Sequence, residues 1–152
     1  MTKVMAVNAG SSSLKFQLFN MPSEDVITSG IVERIGMEDA IFTIKYNGEK
    51  KTDTCSIPDH QVAVDMLLKA LVEEGVVQEL SEINAVGHRI VHGGEYFNDS
   101  AVVDEDVVSD IKFSHILAIK RNRYSFFFIL YLLLSLRKNP THKWIMTRVF
   151  VS

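Results

Sequence analysis

Apolar and polar positions through residues 1–113 predict a series of strands interrupted by one helix. Lys3–Val7 is a short apolar run that reads as a buried strand. Small polar residues follow in Asn8-Ala9-Gly10-Ser11-Ser12-Ser13, a turn composition. Leu14, Phe16 and Leu18 then alternate with Lys15 and Gln17, so Leu14–Phe19 predicts a second strand and a hairpin opening with a long polar turn. After the turn at Met21-Pro22-Ser23-Glu24-Asp25, Val26–Ile35 offers a third strand. Ala40–Tyr46 and Lys50–Ile57 flank Asn47-Gly48, the strongest short hairpin signal in the chain. Ala63, Met66, Leu67, Ala70 and Leu71 recur at helical spacing, with Asp59 after Pro58 as the cap and Gly75 as the stop. Ile83–Val91 returns to a strand pattern, and Asp104–Lys112 carries acids where a helix begins. Strands, then a helix, then a strand indicate an α/β domain built on a mixed sheet.

The pattern breaks near residue 114. Residues 1–113 hold 9 Lys and Arg against 19 Asp and Glu, a formal charge of −10. Residues 114–152 hold 7 Lys and Arg and no acid, a charge of +7, with half of the chain's aromatic residues and its one Trp. We divide the chain into a lobe, 1–118, and a basic, aromatic-rich tail, 119–152. The tail reads as an out-of-frame, disordered or aggregation-prone segment. Its apolar stretch Tyr124–Leu136 is 13 residues, shorter than the roughly 20 needed to span a bilayer, so no membrane partner is expected. The rival reading makes that stretch an interfacial anchor for a non-catalytic module.

Composition narrows the function classes. A chain of 152 residues that is 47% hydrophobic and 23% charged has the makeup of a folded domain. The net charge of −3 argues against a nucleic-acid partner. One cysteine, Cys55, leaves no disulfide framework and no cysteine zinc site. The first 16 residues, with one Lys and no long apolar core, do not read as a secretory signal.

Two motifs carry candidate chemistry. In Asn8–Lys15, NAGSSSLK, Gly10 and three serines concentrate backbone N–H groups and hydroxyls, which suits phosphate oxygens, and Lys15 adds a cation on the departing strand. The plain alternative is a polar hairpin turn; the P-loop pattern is absent. In Gly87–Gly94, GHRIVHGG, Arg89 stands beside a glycine loop, where a guanidinium can grip a carboxylate or phosphate in bidentate fashion. A structural ion pair is the alternative for Arg89. His88 and His92 read as satisfied structural residues, and no metal site is expected between them.

Together, Val4–Phe16 (VMAVNAGSSSLKF) and Gly87–Gly94 followed by Glu95-Tyr96-Phe97 resemble the acetate kinases in order and spacing. Butyrate kinases differ, with an Asn-Pro-Gly-Ser-Thr-type turn; propionate kinases share the acetate-type turn. The resemblance implies a ribonuclease H-like, actin-like ATPase lobe with a mixed sheet and flanking helices. It implies transfer of phosphoryl from ATP to acetate, giving ADP and acetyl phosphate with Mg²⁺ or Mn²⁺, in a cytoplasmic enzyme that is a homodimer when intact. Carried over by position, Asn8 belongs to the metal site. Gly10, Ser11 and Ser13 line the phosphate turn, and Lys15 is an ATP-site cation. Arg89 holds the carboxylate and then the transferring phosphoryl group, and Val91 helps form the pocket for the acetate methyl. The resemblance stops at Ala118, where the family continues into a Leu-Ala-Pro-Leu-His-Asn-Pro stretch and this chain reads Ile119-Lys120-Arg121-Asn122-Arg123. The family's catalytic His, second Arg, Asp and metal-binding Glu lie beyond that point, so the 152-residue chain is expected to have little or no kinase activity.

Overall fold

The computed structural model describes residues 1–90, 101–102 and 143–148, with side chains through His88. The strands are β1 (Thr2–Ala9), β2 (Ser13–Met21), β3 (Asp25–Glu33), β4 (Ala40–Tyr46), β5 (Glu49–Cys55), β6 (Ile83–Ile90), β7 (Ala101–Val102) and β8 (Lys143–Arg148). One α-helix, α1 (His60–Glu73), separates β5 from β6. All the strands join one sheet in the order β5-β4-β3-β2-β1-β6-β8-β7. From β5 to β1 every neighbour is antiparallel, whereas β1–β6 and β6–β8 are parallel. The sheet is therefore mixed, as the pattern predicts.

Each element follows from local chemistry. Asn47 (φ 49°) and Gly48 (φ 80°) both occupy left-handed backbone, the requirement of a two-residue hairpin loop, and Tyr46 pairs with Glu49 across it. The Asp59 side chain accepts from the Val62 N–H at 2.9 Å and caps α1. At the other end Gly75 adopts φ 68°, and the Val77 N–H bonds back to the Leu71 carbonyl at 3.1 Å. β3 stops two residues short of the expected Ile35, because Arg34 (φ 59°) and Gly36 (φ 97°) turn the chain. β5 likewise ends at Cys55, and Ile57 turns fully inward.

The core lies on one face of the sheet. Met5, Val7 and Ala9 of β1, Leu14, Phe16 and Leu18 of β2, and Phe42 and Ile44 of β4 meet Ala63, Val64, Leu67, Leu68 and Leu71 of α1. The period of two in the strands and of 3.6 in the helix supplies these faces. Met66, placed on the apolar stripe by its spacing, is only partly buried. Within the core the Phe16 ring lies over Gly30, its strand partner: a Cβ at Gly30 would sit 2.4 Å from the ring and 2.6 Å from the Thr43 carbonyl. The helix end is tied to the β4–β5 hairpin by Glu74, which accepts from the Tyr46 hydroxyl and pairs with Lys51 at 2.6 Å. The Lys51 and then the Tyr46 hydrogen bonds hold that carboxyl below its usual range.

His88 is a core residue, 5% exposed, and its Nδ1–H donates to the Val7 carbonyl at 3.1 Å. Burial depresses its pKa to about 4 against the Val7 bond. The expected helix over Asp104–Lys112, the division at residue 118, and His92 lie outside the described residues. Lys143–Arg148, within the segment read as a tail, is the strand β8 and pairs with β6 from Ala85↔Lys143 to Ile90↔Arg148. Among the described residues no helix is long and apolar enough to cross a membrane.

Gly30→Ala should lower unfolding stability by about 1–3 kcal/mol through overpacking against Phe16. In urea melts, adding Phe16→Leu should recover part of the loss, and an unchanged midpoint for Gly30→Ala would contradict the packing described. His88 predicts a second effect. Its folded pKa lies below the unfolded value, so its contribution is complete above pH 6.5 and fades toward pH 4. Relative to His88→Gln, the wild-type chain should lose about 3 kcal/mol across that window; parallel pH curves for the two proteins would refute it.

Candidate functional site

The sheet's second face carries the polar side chains. β1 sends Asn8, β2 sends Lys15 and Gln17, β3 sends Ser29 and β4 sends Lys45 to this face, opposite the core residues that alternate with them. Together with Ala6, Ile31, Thr43 and Gly87 they line a groove of about 620 Å³. Gly87 pairs with Ala6, and this small pair leaves the floor of the groove low. Asn8 and Lys15 are direct partners across the hairpin. Among the described residues neither Lys15 nor Lys45 makes an ion pair, and no carboxylate lines the groove. Two ammonium groups on one concave face favour an anion.

At the end of the groove the chain reverses through Gly10-Ser11-Ser12. Ser11 and Ser12 are exposed and Ser13 is half-buried. Three hydrogen bonds shape the turn. The Gly10 N–H donates to the Ser13 carbonyl at 2.8 Å, and the Ile35 N–H donates to the Ser12 carbonyl at 2.9 Å. The buried His60 side chain, at the first position of α1, donates from Nε2 to the Gly10 carbonyl at 2.7 Å. A Cβ at Gly10 would lie 2.9 Å from Ser13 Oγ, a contact that rotation of the Ser13 side chain relieves.

The structure thus brings Asn8 and Lys15 into one groove and sets Gly10, Ser11 and Ser13 in the turn beside it, without making the turn residues part of the groove lining. Val7 is the partner of His88 in the parallel β1–β6 pair, so the Arg89 backbone follows at the level of Asn8. The Arg89 side chain and Val91 lie outside the described residues. Sequence reasoning missed His60, Gln17, Ser29 and Lys45. The alternation of β2 to β4 contains the signal for the last three, since each occupies a position opposite to a core residue. His60 gives no such signal, because its partner is 50 positions away.

A metal ion fits this site in a limited way. Asn8 offers a hard amide oxygen on the groove face, and no group of three or more His, Cys, Asp or Glu able to hold a metal occurs among the described residues. One amide oxygen suits a hard divalent cation that keeps several waters and takes its remaining ligands from elsewhere.

The acetokinase family model matches residues 3–134. The acetate kinase of Bacillus mycoides is 62% identical over 112 residues, 74% of this chain and 28% of that protein. The acetate kinase of Bacillus subtilis is 57% identical over the same shares. The crystal structure of Porphyromonas gingivalis acetate kinase superposes with a TM-score of 0.83 at 32% identity, covering 97% of this chain and 37% of that one. A propionate kinase from Francisella tularensis gives 0.82 at 28% identity, with the same coverage. The chain spans about 28% of the length of the curated relatives it matches, in an α/β lobe shared with acetate and propionate kinases. This chain belongs to the acetokinase family.

Proposed function

We propose that the chain is the N-terminal lobe of an acetate kinase, built for ATP-dependent phosphorylation of acetate to acetyl phosphate. The observation that carries the reading is the placement of Asn8 and Lys15 as partners in a cationic groove, next to a serine turn whose carbonyls are tied back into the protein. Phosphoryl transfer depends on positioning and charge neutralisation more than on covalent chemistry. In this reading an acetate carboxylate oxygen attacks the γ-phosphorus while the bond to the ADP oxygen breaks. Lys15 holds a phosphate of ATP by charge. Ser11 and Ser13 donate hydrogen bonds to phosphate oxygens. Arg89, at the level of Asn8 on the neighbouring strand, orients the carboxylate and bears on the equatorial oxygens as charge develops. Val91 contributes to the methyl pocket. Asn8 would hold Mg²⁺, or Mn²⁺, which when bound neutralises phosphate charge.

Propionate is the second reading of the acceptor, favoured by the likeness to the Francisella propionate kinase. One methylene is worth only roughly 1–3 kcal/mol of discrimination in an apolar pocket. We place the intact enzyme in the cytoplasm as a homodimer. The 152-residue chain contains one part of a constellation that acts as a unit, so alone it binds phosphate without turnover.

MgADP titration of the 152-residue chain should show binding, and Lys15→Ala should weaken it roughly 10- to 100-fold, the loss of one hydrogen bond to a charged group. Acetyl phosphate, trapped as the hydroxamate, should stay at background. Equal affinity for the two proteins, or turnover at the roughly 1–100 s⁻¹ of ordinary kinases, would contradict this reading.

A further inference from the structure

Three carbonyl oxygens of the turn between β1 and β2 are engaged within the protein. Gly10 C=O accepts from His60, Ser12 C=O from Ile35 and Ser13 C=O from Gly10. This matters at a phosphate site, because a carbonyl oxygen facing an anion repels it. A trans peptide is planar, with its C=O and N–H on opposite sides. Fixing the Gly10 carbonyl on His60 therefore aims the Ser11 N–H away from α1. His60 is 7% exposed and Ile35 is 8% exposed, whereas Ser11 is open to solvent. The Gly10 and Ser12 carbonyls are held by buried residues, and the Ser11 N–H points away from His60.

We propose that His60 is a positioning residue: through the Gly10 carbonyl it sets the Gly10–Ser11 peptide plane, so that the turn presents a donor rather than an acceptor to a bound phosphate. The proposal deepens the phosphate reading of the turn and rests on it. His60 is buried and is the first residue of a helix capped by the preceding residue, Asp59. A carbonyl can only accept, so His60 carries its proton on Nε2. Glycine at position 10 has the weakest intrinsic preference for one peptide orientation. Without His60, a rotation about Gly10 would let its carbonyl seek water on the outer side, where the phosphate binds.

The test uses the 152-residue chain with inorganic phosphate and MgADP as probes. A long-range ¹H–¹⁵N spectrum of the wild-type chain at pH 8 should show His60 protonated on Nε2; the Nδ1–H tautomer would overturn the proposal without any variant. His60→Leu should weaken binding of both probes roughly 10-fold, the scale of one lost buried hydrogen bond. His60→Gln, whose amide can donate to the same carbonyl, should restore binding to within about threefold. A purely structural role predicts instead that affinity follows the melting temperature through both variants. Wild-type affinity in His60→Leu would also overturn the proposal. If the wild-type chain binds neither probe, the phosphate reading fails, and the clamp is judged on the tautomer and the Gly10 carbonyl ¹³C shift, which His60→Leu must move. If His60→Leu does not fold, the tautomer and His60→Gln decide.

Discussion

The double pairing of β1 is the constraint on which the site depends. On one side β1 turns back into β2 with Ala9 opposite Leu14; on the other it runs parallel to β6 with Val7 opposite His88. The first pairing creates the serine turn, and the second brings the Arg89 backbone to the same end of the sheet. A parallel pair cannot be closed by a hairpin. Here the chain between β1 and β6 runs through the four antiparallel strands β2 to β5 and then α1, and α1 packs on the sheet's apolar face. The helix that completes the core also delivers His60 to the turn. Packing and site geometry are therefore coupled: the burial that holds α1 on the sheet also holds the Gly10 carbonyl.

The two faces of the sheet divide the work. One face is a continuous apolar layer in which Phe16 lies over Gly30 and His88 is kept neutral by burial. The other face carries Asn8, Lys15, Gln17, Ser29 and Lys45 around a floor of Ala6 and Gly87. The alternation of side chains along β1 to β4 makes this possible, because successive residues of a strand point to opposite faces. A one-residue slip of β2 would bury Lys15 and expose Leu14 and Phe16, so the core and the groove enforce the same register.

Much of this was legible in the residues. The hairpin at Asn47-Gly48, the Asp59 cap, the Gly75 stop and the strand runs of β1 to β6 each have short-range causes, and each lies where the pattern puts it to within a few residues. The turn and the cation at Lys15 were legible in one contiguous motif, but the turn is shorter than the expected Asn8–Ser13, because Asn8 and Ala9 continue β1 and Ser13 opens β2. His60 was not legible. Its partner is distant in the sequence, and its place on α1 marks it as an ordinary first-turn residue. Lys45 was missed for a different reason: it is an unremarkable polar position until β3 sets β4 beside β2. β8 was missed too, because the charge and aromatic shift after residue 113 pointed to a separate segment, yet Lys-Trp-Ile-Met-Thr-Arg pairs along β6.

The proposed phosphate turn is shaped before any ligand arrives, by anchors on the Gly10 and Ser12 carbonyls. The most direct measurement is ¹⁵N relaxation of the ligand-free 152-residue chain at Ser11, Ser12 and Ser13, compared with the centres of β1 and β2. A turn anchored in this way should show order parameters near 0.85, matching the strands. Values below about 0.6 at the serines, with rigid flanking strands, would mean that the carbonyl anchors do not hold the turn and that any order comes from its ligand.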